Sequence, residues 1–129
     1  MPVGGMDFRV NSILRGVAEI TFFVDNIDLA RIWYRQIFGD PVFDDEYFCL
    51  FQGPGIQVGL HPSDAKTPSG SGGQVLYWKV ENLVAVLKAL EQRQCQRYRG
   101  PIVGVDGSMV CQIVDPFGNL WGLRQDSSD

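Results

Sequence analysis

The chain is poor in the side chains that hold transition metals. His61 is the only histidine in 129 residues. Neither a three-histidine zinc site nor a two-histidine, one-carboxylate iron site can therefore be assembled within one subunit. No convergent carboxylate cluster is evident for an oxygen-only Mg²⁺ or Mn²⁺ site. The three cysteines (Cys49, Cys95, Cys111) are scattered and form no C-x-x-C pair. An odd, dispersed set fits reduced thiols in the cytoplasm, acting as small core hydrophobes. Basic excess is missing as well. The net charge is −4 and no basic stripe exists to neutralise phosphates, so a nucleic-acid partner is not expected. No apolar run is long enough to cross a bilayer, and the N-terminus lacks a basic region followed by an apolar core. Neither membrane association nor a secretory signal is expected, and residues 1–11 read as a loose leader. A Gly-rich phosphate loop, a nucleophile elbow and a paired C-x-x-C zinc set are absent too.

What is present is an ordinary globular composition, 45% hydrophobic and 20% charged, in a length suited to one domain. Two stretches echo one another. Val24-Asp25-Asn26-Ile27 and Val80-Glu81-Asn82-Leu83 each follow a strand-like lead-in and precede a helical run, and each half ends in Gly-Leu (Gly59-Leu60, Gly122-Leu123). Such self-similarity marks duplication of one supersecondary unit. Module 1 spans about 14–62, a polar Ser/Gly/Pro-rich flexible linker about 62–73, and module 2 about 74–125.

Within module 1, a β-branched and aromatic strand is expected over 16–24, with Asp25 or Asn26 capping the helix behind it. Ile27, Ala30, Tyr34, Ile37 and Phe38 share one helical face, and Gly39 and Pro41 end the helix. Strands are expected over 42–44, 47–51 and 56–61. Module 2 repeats the order: a strand over 74–80, a helix with the stripe Leu83, Val86, Leu87 and Leu90 ending near Cys95, then strands over 102–105, 109–114 and 119–124. Gly100-Pro101 is read as a break in the chain, and Asp115-Pro116-Phe117-Gly118 as a turn. Arg93, Arg97 and Arg99 are read as solvated cations favouring the negative end of the second helix. The sum is an α+β domain of two tandem βαβββ modules.

The segment Asp115-Pro116-Phe117-Gly118-Asn119-Leu120-Trp121-Gly122-Leu123, the two V-x-N-[IL] junctions and the Trp33-Tyr34…Phe38-Gly39 helix end together resemble the vicinal oxygen chelate superfamily: glyoxalase I, extradiol dioxygenases, fosfomycin-resistance enzymes and bleomycin-resistance proteins. The resemblance runs from Leu14 to Gln125. It implies a cup-shaped pair of half-barrels, and a divalent metal held in catalytic members by His and Glu from four inner strands. Carried over by the shared motifs, those four positions are Glu19, Val75, Gly59 and Gly122. Only Glu19 is a possible ligand, so no metal and no cofactor are expected.

Strand alternation sorts the remaining candidates. If Glu19 faces the cup, so do Val17, Thr21 and Phe23; Gln57, Gly59 and His61; Val75, Tyr77 and Lys79; and Leu120, Gly122 and Arg124. The opposite parity, with Trp78 and Trp121, packs under the helices. Glu19 is either a ligand counter-charge, a general base, or a carboxylate paired structurally with Lys79, Arg124 or another basic residue. His61 reads as a solvated edge residue, and Tyr77 and Phe23 as stacking surfaces or core filling. Glycine at positions 59 and 122 leaves room for a bulky ligand to approach the backbone. Trp33 and Tyr34 are packing or dimer-contact residues; a large apolar patch around them would instead favour a regulatory subunit with a vestigial cup. The expected function is metal-independent binding of a bulky aromatic or cationic small molecule by a cytoplasmic homodimer. The alternative is a lyase, isomerase or dioxygenase-like enzyme with a displaced metal site or with Glu19 as general base.

Overall fold

Asn26 and Asn82 start the two helices in the same way. Each sits in extended backbone (φ −127°, ψ 94° and φ −130°, ψ 94°), and each side chain accepts from the amide three residues on, Leu29 and Ala85. This satisfies one of the amides a helix start leaves without a partner. In the computed structural model, which describes residues 17–72, 75–104 and 106–127, the order is β1 (Glu19–Val24), α1 (Ile27–Phe38), β2 (Phe43–Asp44), β3 (Cys49–Gln52), β4 (Gln57–Pro62), β5 (Tyr77–Lys79), α2 (Leu83–Glu91), β6 (Gln96–Val103), β7 (Met109–Val114) and β8 (Leu120–Gln125). The leader over 1–11, Gly16, the residues 73–74 and Val105 lie outside the described residues.

The strands form two four-stranded sheets with matching order, β1-β4-β3-β2 and β5-β8-β7-β6, each with one parallel pair. The registers match as well. Thr21 lies opposite Gly59 and Phe23 opposite His61 in sheet 1; Tyr77 lies opposite Gly122 and Lys79 opposite Arg124 in sheet 2. The duplication read from the two junctions is therefore a duplication of βαβββ units, and the fold is α+β.

Both sheets turn one face into a common core. Phe22 and Val24 of β1, Val58 and Leu60 of β4, Cys111 and Ile113 of β7, and Trp121 and Leu123 of β8 are buried there. Helix α1 supplies Ala30, Trp33 and Tyr34, and α2 supplies Leu83, Leu87 and Leu90. The modules meet through aromatics: Phe22 stacks on Trp121 at 6.1 Å, Trp33 meets Trp121 edge-on at 6.0 Å, and Phe38 lies 5.9 Å from Trp78. Trp33 and Tyr34 are thus core residues, only 5% and 0% exposed, and present no apolar surface themselves. The three cysteines are buried free thiols.

Other expectations change. Gly100-Pro101 does not break the strand. β6 begins at Gln96 and runs through the pair to Val103, absorbing it with register shifts on either side of Arg99. The second helix stops at Glu91. Arg93 does cap it, its Nη1 donating to the Ala89 carbonyl at 3.0 Å, but Arg97 and Arg99 lie on β6 rather than at the helix end. Asp25 is not the helix cap. It accepts from the hydroxyls of Ser63 and Ser69, pinning the inter-module segment to the end of β1, and these bonds, Ser63 first, lower its carboxyl below the usual range. No helix among the described residues is long and apolar enough to cross a membrane.

Candidate functional site

By alternation, the side chains flanking Phe22 and Trp121 point away from the shared core, and each sheet keeps an open face. On sheet 1 that face centres on Gly59. A Cβ there would lie 2.9 Å from Glu19 Oε2, 3.1 Å from Phe48 Cε1 and 3.3 Å from Thr21 Oγ1. The glycine leaves a hollow that these three side chains fill. Thr21 Oγ1 donates to Glu19 Oε2, orienting the exposed carboxylate. Farther along, His61 is exposed, its ring 5.6 Å from Phe23, and its Nδ1 donates to the Pro62 carbonyl at 2.9 Å. Gln57, opposite Glu19 in the register, is half-buried.

Sheet 2 uses its glycine in the same way. A Cβ at Gly122 would fall onto the Tyr77 ring, 2.8 Å from its Cγ, so the ring lies directly on the β8 backbone. Gln112 Nε2 donates to the Tyr77 hydroxyl at 2.9 Å. Lys79 binds Asp126 at 3.0 Å, and Arg124 binds both Asp126 (2.9 Å) and Asp106 (3.3 Å). Two expectations are corrected here. The space left by Gly59 and Gly122 is taken by the chain's own Glu19, Phe48 and Tyr77, not kept open for a ligand. Glu19 is not paired with Lys79 or Arg124, whose charges are met by aspartates.

Between the sheets, along the edge of β1, runs a groove of about 670 Å³. Val17, Glu19, Thr21 and Ile56 line it from module 1, Val75, Leu76, Asn119 and Leu120 from module 2, with Gly70, Ser71 and Gly72 at its rim. Among the candidates it gathers Glu19 and Thr21. Phe23, Gln57, Gly59 and His61 lie elsewhere in sheet 1, and Tyr77, Lys79, Gly122 and Arg124 in sheet 2. Phe48, Gln112, Asp106 and Asp126 complete these faces and were not singled out from the sequence. Asp126 carried a signal, two residues beyond Arg124; Phe48 and Gln112 carried none without the sheet register.

The four positions that the resemblance assigns to a metal do not fit one. Val75, Gly59 and Gly122 offer no donor, and Glu19 is one carboxylate. Among the described residues no three His, Cys, Asp or Glu side chains lie close enough to share a cation. Exchange of modules between identical chains brings together the same four residues, so it does not change the donor set.

Residues 16–123 match the family model for the Glyoxalase/Bleomycin resistance protein/Dioxygenase superfamily. Among solved structures, the fold is similar to a glyoxalase-related enzyme from Fulvimarina pelagi (TM-score 0.71, 19% identity, covering 88% of this chain and 89% of that one). It is similar also to a superfamily member from Sphaerobacter thermophilus (TM-score 0.70, 24% identity, 88% and 99% covered) and to a lactoylglutathione lyase from Agrobacterium tumefaciens (TM-score 0.67, 19% identity, 88% and 96% covered). No curated protein matches the sequence.

Proposed function

Because the chain belongs to the glyoxalase/bleomycin resistance protein/dioxygenase superfamily, we propose that it is a metal-independent small-molecule binding protein of that fold. It sequesters a bulky aromatic or cationic compound in the cytoplasm and works as a homodimer. The observation that carries this reading is the Glu19–Thr21 pair in the wall of the 670 Å³ groove, a volume within the range of small-molecule sites. Thr21 fixes the carboxylate over Gly59 on the open face of sheet 1, beside the groove, where it serves as counter-charge to a cation. Phe23 and Phe48 on sheet 1 and Tyr77 on sheet 2 add flat apolar surface. The open face of sheet 1 also exposes Phe43 on β2, with Tyr47 exposed in the segment between β2 and β3, and that of sheet 2 exposes Ile102 at its β6 edge. A second copy placing its sheet 2 over sheet 1 of the first covers both sets and builds a two-walled cup.

The test begins with elemental analysis after reconstitution with Ni²⁺, Zn²⁺, Mn²⁺ and Fe²⁺, followed by titration with aromatic amines. Metal well below stoichiometric and an amine affinity that falls by about 1 kcal/mol in Glu19→Gln are the expected results, given solvent screening of an exposed pair. A tightly held stoichiometric metal would shift the assignment to the lyase, isomerase or dioxygenase alternative.

A further inference from the structure

The edge strand β6 carries an irregularity that changes which way an arginine points. Arg97 pairs with Ile113, so an unbroken antiparallel register would set Tyr98 opposite Gln112 and Arg99 opposite the buried Cys111. The ladder slips by one residue after Arg97, and Arg99 pairs with Gln112 instead; a second slip follows before Ile102 pairs with Val110. Each extra residue inverts the alternation of side chains. Arg97 accordingly stays on the helix side, where it binds Glu91 at 2.9 Å, and Arg99 is turned to the open face beside Gln112. The second slip is held by Gly100, whose φ of +80° suits glycine and whose Cβ would lie 2.9 Å from the Val110 carbonyl oxygen.

One register line therefore crosses sheet 2: Arg99, Gln112, Gly122 and Tyr77. Its chemistry is donor-rich. The Tyr77 hydroxyl accepts from Gln112 Nε2, so its own proton is free to donate outward. Arg99 is exposed, and no acid pairs with it among the described residues, whereas Lys79 and Arg124 on the next line have Asp126 and Asp106. Val110 and Ile102 flank the line with apolar surface, and the Tyr77 ring lies flat on Gly122 with 42% of the residue exposed.

We infer that the Arg99–Gln112–Tyr77 line is the recognition element for an oxyanion, and that the ligand class for this wall of the cup is an aromatic carboxylate. The carboxylate meets the guanidinium fork of Arg99 and the hydroxyl proton of Tyr77, and its ring lies over Tyr77 and Val110. This deepens the binding function proposed above and rests on it.

The test titrates the full chain with three probes sharing one ring: 1-naphthoate, 1-naphthylmethylammonium and 1-naphthalenemethanol. Naphthoate is expected to bind more tightly than the alcohol, with an affinity that falls as salt rises. Arg99→Gln should weaken naphthoate about tenfold and leave the alcohol unchanged. Arg99→Lys should recover only part of that loss, because an ammonium lacks the planar fork. Tyr77→Phe, which keeps the ring on Gly122, should weaken naphthoate several-fold. Naphthoate binding no better than the alcohol, or unchanged in Arg99→Gln, overturns the inference. Binding of the ammonium probe alone, sensitive to Glu19→Gln, overturns it while leaving the small-molecule function intact. Failure of all three probes removes both.

Discussion

The hydroxyl of Tyr34 donates a 2.5 Å hydrogen bond to Oδ2 of Asp115, tying the helix of one module to the closing turn of the other. Oδ1 of the same carboxylate accepts from the amides of Phe117 and Asn119, both at 2.9 Å, and Trp121 Nε1 reaches the Tyr34 oxygen at 3.3 Å. Tyr34, Asp115, Asn119 and Trp121 are buried, and Phe117 is half-buried. Removing Tyr34 leaves Asp115 Oδ2 with only the longer 3.3 Å bond from Asn119 Nδ2, and removing Asp115 leaves the buried Tyr34 hydroxyl without its acceptor. Tyr34→Phe should cost about 1–3 kcal/mol and Asp115→Ala more, since it also releases the turn amides. In urea unfolding the double variant should fall short of the sum of the single losses; strict additivity would show that the two side chains are not coupled.

Burial raises the Asp115 carboxyl above its usual 3.8, against the pull of the Tyr34, Asn119 and Phe117 donors. A carboxyl with a raised folded pKa prefers the protonated fold. Its contribution is fully present below 3.8 and is lost as pH rises through the folded value. The stability of the parent relative to Asp115→Asn should therefore decline as pH rises above 3.8. A difference that is flat with pH would show that this carboxyl does not titrate differently in the folded and unfolded chains.

Burial also pushes the Cys49 thiol up to about 11 and the Cys95 thiol to about 12 from 9.0, and raises Cys111 in the same direction. Buried and protonated, they are poor nucleophiles. A thiol reagent at pH 8 should label none of the three until the chain is unfolded in urea. The associated stability is present below pH 9 and lost as pH climbs toward 11, so urea midpoints should fall between pH 9 and 11.

Gly122→Ala should destabilise by about 1–3 kcal/mol, because the new methyl group lands on the Tyr77 ring. Adding Tyr77→Ala should recover much of that loss by emptying the contested space. A single Gly122→Ala variant as stable as the parent would mean that the ring does not rest on the β8 backbone.

The repeat was legible because its carriers are local. An asparagine cap acts on amides two or three residues away, a glycine stop on its own φ, and an apolar stripe on its own helix face. The caps at Asn26 and Asn82, the Gly39 stop (φ +80°), the Asp115 turn with Gly118 at φ +86° and the limits of β7 all follow from such short-range chemistry. The parity that buries Phe22 and Trp121 follows as well, since two-residue alternation is a property of any regular strand.

Where a side chain's neighbours come from distant segments, the sequence alone was silent or misleading. That Tyr77 occupies the hollow at Gly122, and Glu19 that at Gly59, depends on the parallel pairing of β5 with β8 and of β1 with β4, which brings together residues about forty positions apart. That Arg99 faces outward depends on a slip against β7, a shift between strands that leaves no mark in either strand's own alternation. The residues and their periodicity determined the two βαβββ units and their buried faces. The tertiary structure decided which open-face groups meet, because strand register is set by the packing of both sheets on one core, and no single segment contains that information.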